Sequence, residues 1–155
     1  MNQALTRVEA ERRDRVLRAY VEDMDWDLVG ETSLRRHLVQ HSPQLVPAHP
    51  LLVGVEWGAR SGHAGDLLFF DGERALLVIE LKVIHKNDIA RRLHQVDAQA
   101  RDFARAARVR FPWATVEGLV YTSLEHAQGA GPRPPRENRP APKGFMPPAE
   151  GREIE

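Results

Sequence analysis

The sequence predicts an α/β (α+β) domain, with a central mixed β-sheet flanked by helices. Three observations point there. Strand-like apolar runs follow two helical stretches. Two of those runs meet at Asp71-Gly72, a hairpin turn signal. A one-sided helix over 88–110 then separates the hairpin from a last strand, and such a crossover makes its flanking strands parallel.

Each element has its own warrant. Residues 3–22 hold no Gly or Pro and many good helix formers. Leu5, Val8, Val16, Ala19 and Tyr20 form a loose apolar stripe along them. A second helix runs from Glu31 to Gln40 with Leu34 and Leu38 on one face, and Ser42-Pro43 ends it. Prolines 47 and 50 lead into the strand "LLVGVEW", residues 51–57. "DLLFFD" and "ALLVIELKV" are the hairpin strands; the second is apolar on both faces and so reads as a central strand. Asn87 or Asp88 is placed to cap the next helix. Its apolar positions Ile89, Leu93, Val96, Ala100, Phe103 and Ala107 recur at steps of four and three. Phe111-Pro112 closes it, and "TVEGLVYTS" is the last strand. The folded domain is expected over residues 1–126, with 1–30 as a helical extension. Residues 127–155 carry seven of the eleven prolines and few large apolar residues, and read as a disordered Pro/Arg-rich tail.

Composition narrows the function classes. At 155 residues, 42% hydrophobic and 28% charged, the chain suits one soluble domain. Having no cysteine, it has no disulfide, zinc-thiolate site or cysteine nucleophile, in keeping with an intracellular place. No apolar run is long enough to span a bilayer, and the N-terminus lacks a signal peptide's apolar core. A cytoplasmic or nucleoid/nuclear protein is expected, neither secreted nor membrane-bound. The 22 bases and 22 acids cancel, which argues against attachment to nucleic acid by bulk charge alone. Residues 90–110 nevertheless hold six arginines and two acids, so a basic face would lie there.

Three charges stand out inside the hairpin: Asp66, Glu80 and Lys82. Glu80 and Lys82 are two apart and project from one face, beyond Leu76 and Val78. Whether Asp66 reaches Glu80 depends on the turn. A five-residue loop, Asp71 to Ala75, sets the two carboxylates opposite each other, roughly 5 Å apart between Cβ atoms. A two-residue turn would pair Asp66 with Leu77 instead. The longer loop or a bulge is the favoured arrangement. Two carboxylates so close repel each other unless protonated, paired with cations or holding a metal. Hard oxygen donors suit Mg²⁺ or Mn²⁺, and Lys82 could then act on a water or stabilise charge on a phosphate. The plainer alternative is an ordinary strand end with Glu80 and Lys82 in solvent.

Asp66 and, fourteen residues on, Glu80-Leu81-Lys82 at the end of an apolar strand resemble the PD-(D/E)XK nuclease signature. The closest likeness is to the C-terminal nuclease domain of NucS-type DNA endonucleases. "ETSLRRHLVQHSPQLV" is similar to the short helix that precedes the hairpin there, and the likeness spans roughly residues 31–123. It implies a restriction-endonuclease-like core and a Mg²⁺-dependent (or Mn²⁺-dependent) endodeoxyribonuclease, with DNA as partner. Asp66 and Glu80 would be metal ligands, with the Leu81 carbonyl as a third and Glu31 touching the metal directly or through water. Lys82 would be the catalytic lysine. Independently, Glu31 shares a helix face with Leu34 and Leu38; as a first-turn acid it would also simply favour the helix dipole. The family often carries Gln-x-x-x-Tyr in the following helix. Here Gln95 is followed at that spacing by Gln99, and Gln99 by Phe103. Arg92, Gln95 and Gln99 share one flank of the helix and could face a phosphate. The NucS-type DNA-reading domain has no counterpart, so target choice would come from a homodimer or a separate targeting subunit. A catalytically inactive module of the same fold, binding nucleic acid or protein, is the alternative.

Weaker candidates surround this set. Glu56 ends the first strand, and His63 in Ser61-Gly62-His63 stands three residues before Asp66. His37 and His41 share a helix face at zinc-compatible spacing, but no third ligand is evident. His85 and Lys86 follow the hairpin. Arg91, Arg101, Arg105 and Arg108 form either a nucleic-acid face or a solvated one.

Overall fold

The computed structural model describes residues 4–23, 30–57 and 65–136; of Trp57, Gly65 and Asp66 it describes the backbone alone. The elements follow in the order α1 (Arg7–Glu22), α2 (Glu31–Gln40), α3 (Ser42–Leu45), β1 (Leu51–Trp57), β2 (Gly65–Phe70), β3 (Ala75–Lys82), α4 (Ile89–Arg110), β4 (Thr115–Thr122) and α5 (Ser123–Ala127). Among the described residues they make a four-stranded mixed sheet in the order β1-β2-β3-β4, flanked by helices. The first three strands are antiparallel neighbours, and β3 and β4 run parallel across the α4 crossover.

The pleat of β3 divides the core. Leu77, Ile79 and Leu81 point to one face, where Leu52, Leu67, Phe69 and Tyr121 meet Leu34, Leu38 and Val39 of α2. Leu76 and Val78 point to the other, with Val53, Leu68, Phe70 and Ala107 of α4. Each fully buried Leu or Phe contributes about 1.5–3 kcal/mol, so β3, buried on both sides, anchors the domain. Helix α4 lies unusually close to β4. A Cβ on Gly118 would come within 2.9 Å of the Ala104 Cβ and 3.0 Å of the Ala100 carbonyl oxygen. Small residues on both elements permit this approach.

Both sheet edges are covered. The outward amide of Leu52 in β1 donates to Asp14 Oδ1 at 2.8 Å. Arg18 donates to Asp14 (2.7 Å), the Val39 carbonyl (2.8 Å), Ser42 Oγ (2.9 Å) and the Pro50 carbonyl (3.0 Å). These bonds satisfy groups that an edge strand leaves open. They also correct the apolar stripe expected on α1. Val8, Val16 and Tyr20 are 78%, 62% and 51% exposed, while Ala10 and Val21 are buried and Leu17 packs beside them. Asp14 and Arg18 sit within the inward face, so hydrogen bonding, which hydrophobic periodicity does not register, holds this helix.

At the other edge Val120 and Arg133 exchange backbone hydrogen bonds at 2.7 and 2.9 Å. Arg133 Nη1 donates to Asp97, which is 1% exposed, at 3.0 Å, and its Nε donates to Glu125 at 3.0 Å. The described chain therefore packs to Arg136, past the boundary expected at 126, through polar anchoring of a proline-rich segment. Residues 137–155 lie outside the described residues.

Two local expectations change. Ser42-Pro43 ends α2 but also starts α3, with Pro43 in its first turn, where a missing N–H costs nothing. Asp88 takes the cap position of α4 but makes no side-chain cap bond. Its φ of 72° is left-handed, unlike the extended conformation of a capping carboxylate. Among the described residues no helix is long and apolar enough to cross a membrane.

Candidate functional site

The turn between β2 and β3 sets the geometry. Asp71 Oδ1 accepts from the amides of Glu73, Arg74 and Ala75 at 2.8, 2.9 and 2.9 Å, and the Asp71 amide donates to the Ala75 carbonyl at 3.0 Å. Gly72, at φ 98°, supplies the left-handed residue the turn requires. This is the five-residue loop. It pairs Phe70 with Leu76, Phe69 with Leu77, Leu68 with Val78 and Leu67 with Ile79. The pairing runs as far as Leu67 and Ile79; one more step in the same register would set Asp66 level with Glu80.

On β3 the Leu76–Val78 face continues into Glu80 and Lys82. Glu80 is 6% exposed, and Lys82 is partly buried at the strand end. A carboxylate so buried persists only with compensating partners. Glu31, the first residue of α2, reaches the same end from another element, its Oε2 lying 3.9 Å from Lys82 Nζ. Gly30, Glu31, Lys82, Val83, His85 and Arg92 line an open cleft of about 490 Å³ there. The chain leaving β3 is tied down by the Ile84 amide, which donates to Ser123 Oγ at 2.8 Å. That bond fixes the direction in which Val83 and His85 leave the strand.

A comparison with family models, curated proteins and solved structures finds no match to this chain. The site must therefore be judged on its own residues. The carboxylates of Glu31 and Glu80, with Asp66 at the level of Glu80, have the oxygen chemistry that hard divalent cations prefer. Among the described residues no group of three His, Cys, Asp or Glu converges as metal ligands; the Asp66 side chain is outside that set. Leu81 turns its side chain into the α2-side core, so the implied role could involve only its backbone. Neither Gln95, which is exposed, nor Gln99, which is half-buried, lines the cleft.

The remaining candidates sort by partner. Glu56 is exposed, has a φ of 53°, and accepts from the buried Arg35 at 3.2 Å, which accounts for it structurally. His63 and its neighbours 61 and 62 lie outside the described residues. His37 and His41 gain a third neighbour that sequence reading missed: His126 of α5, with ring centroids 4.4 Å apart for His37–His41 and 4.2 Å for His37–His126. Burial first, then His126 and His41, holds the His37 imidazolium below its usual pKa. The rings meet tilted at 41° and edge-on at 67°, and among the described residues they form no metal-holding group. No local pattern could announce His126, because only the path of β4 brings it to α2. On α4, Arg105 bonds to Asp102 at 2.8 Å, Arg101 to the Arg136 carbonyl at 2.7 Å and Arg108 to the Val116 carbonyl at 3.1 Å. Arg91, His85 and Lys86 are exposed.

Proposed function

We propose that this chain is a metal-dependent nuclease that hydrolyses phosphodiester bonds in DNA, on a restriction-endonuclease-like core. The observation that supports it best is the hairpin register. It pairs the strands as far as Leu67 and Ile79 and, continued by one residue, would set Asp66 level with Glu80, at the strand end where Lys82 and Glu31 meet.

In this reading Asp66 and Glu80 hold Mg²⁺ or Mn²⁺, with the Leu81 carbonyl and Glu31 completing the ligand set directly or through water. The ion, when bound, acidifies a water and offsets charge building on the phosphate. Lys82 stands at the cleft, where it orients the attacking water or stabilises a non-bridging phosphate oxygen. Its contact with Glu31 holds it at the strand end until substrate arrives. Gln95 and Gln99 would contact substrate from α4, as the resemblance implies. A homodimer or a separate targeting subunit is the partner proposed besides DNA, with an intracellular site of action.

The second reading is a binding module without turnover. It is favoured by the Glu31–Lys82 pairing, which occupies the lysine, and by the Gln99 and Phe103 that stand where the family's Gln-x-x-x-Tyr is expected. Two measurements separate the readings. Plasmid and single-stranded DNA are incubated with Mg²⁺ or Mn²⁺ and wild-type, Asp66→Ala or Lys82→Ala protein. Metal-dependent cleavage lost in both variants supports the nuclease; equal rates in all three overturn it. Calorimetric titration with Mn²⁺ should show uptake below millimolar, and its absence would favour the binder.

A further inference from the structure

Arg92 stands in the first turn of α4 and lines the cleft together with Glu31 and Lys82. Its Nε is buried and meets no hydrogen-bond acceptor among the described residues. This differs from the arginines further along the helix. Arg101, Arg105 and Arg108 all bond to protein oxygens. A guanidinium is always charged and offers a planar fork of donors matched to phosphate. Leaving such a donor unmet is unfavourable, and a ligand acceptor would relieve it.

The lining points to the same class of ligand. Lys82 and Arg92 both line the open cleft with Glu31 and His85, so two basic side chains reach it from β3 and α4. At about 490 Å³ it is large enough for a phosphate group. We infer that Arg92 binds a backbone phosphate of the nucleic-acid strand. Lys82 and Arg92 then grip that strand from two elements, β3 and α4. Gln95 and Gln99 lie one and two turns further along α4 and do not line this cleft. The inference rests on the nuclease reading only for the identity of the polymer.

The test is fluorescence anisotropy of a labelled DNA oligonucleotide, with Ca²⁺ in place of Mg²⁺, over a series of salt concentrations. Arg92→Gln should weaken binding at least ten-fold and flatten the log K against log salt slope by about one, the loss of one phosphate contact. Arg92→Lys should recover part of the affinity. Arg110→Gln, about 27 Å along the helix at 1.5 Å per residue, should change affinity less than two-fold. An oligonucleotide with neutral methylphosphonate linkages should no longer distinguish Arg92→Gln from wild type. Thermal unfolding of each variant controls for folding. Unchanged affinity and slope in Arg92→Gln would overturn the inference while leaving wild-type cleavage to support the nuclease. A ten-fold loss in a protein that never cleaves would retain the phosphate contact and sink the nuclease. A wild-type protein that binds no DNA would overturn both.

Discussion

The two ends of the β2–β3 hairpin are built on opposite principles. At the turn end the backbone is over-determined: one carboxylate, Asp71, accepts from three successive amides, and Gly72 takes the one left-handed step. At the open end Glu80 and Lys82 replace the Leu and Val that a central strand prefers. The turn end spends its charge on local satisfaction. The open end sets its lysine against Glu31 of α2, outside the hairpin. The first makes the second possible, because a one-residue slip at the turn would send Asp66 to the opposite face from Glu80.

The largest expected effect lies at the open end. Lys82→Ala and Asp66→Ala should each lower the cleavage rate about 100-fold or more. For Lys82→Ala, stability should change by less than about 1 kcal/mol, since its ion pair with Glu31 is partly solvated. Rates and urea midpoints measured on the same preparations would show this, and a large stability loss would mean that the open end is structural.

The turn end should show the reverse. Asp71→Ala strips three amides of their acceptor and should cost about 1–2 kcal/mol, while the folded fraction still cleaves at the wild-type rate. Chemical denaturation alongside single-turnover cleavage checks both halves. Gly72→Ala should cost about 1 kcal/mol, through its positive φ. The new Cβ would also displace the Arg7 guanidinium, an inexpensive shift of a flexible side chain.

The smallest effect is in pH. Burial raises the Asp71 carboxyl, but the amides of Ala75, Glu73 and Arg74, with His49 nearby, outweigh it and hold the group below the usual carboxylate range. A carboxyl lowered on folding stabilises the protein above its unfolded value, near 3.9, and loses that contribution as pH falls through the folded value. The wild-type advantage over Asp71→Asn should therefore be constant from about pH 7 to 5 and shrink below about pH 4. Paired urea titrations would show it, and an advantage that grew in acid would contradict the assignment.

Where hydrophobic period governs, the sequence was legible. Leu34 and Leu38 marked the buried face of α2, and Val96, Ala100 and Ala107 marked that of α4. The two-faced run of β3 announced an interior strand, and the long α4 connection announced parallel pairing with β4. Where polar groups hold the chain, it was not. The inward face of α1 runs through Asp14 and Arg18, which a hydrophobicity pattern scores as solvent-facing. The stretch 127–136 reads as a tail because its anchor is a guanidinium reaching the buried Asp97. His126 meets His37 only through the path of β4. In the candidate site, Asp66, Glu80, Lys82 and Glu31 could be singled out from residue type and spacing. Arg92 was marked with Gln95 and Gln99 as one flank of α4, but that Arg92 lines the cleft while the two glutamines do not could not be read there.

The sequence by itself determined the element order, the two-faced central strand and the presence of three charges at one end of a hairpin. These follow from side-chain period and turn chemistry, which act over a few residues. The tertiary structure decided that the turn takes the five-residue form, that Glu31 and Arg92 arrive at the end of β3 from separate helices, and that both sheet edges are sealed by polar contacts. The turn is held by the bonds Asp71 makes within it; the other two outcomes depend on contacts between residues far apart in the chain, whose partners meet only once the sheet has formed.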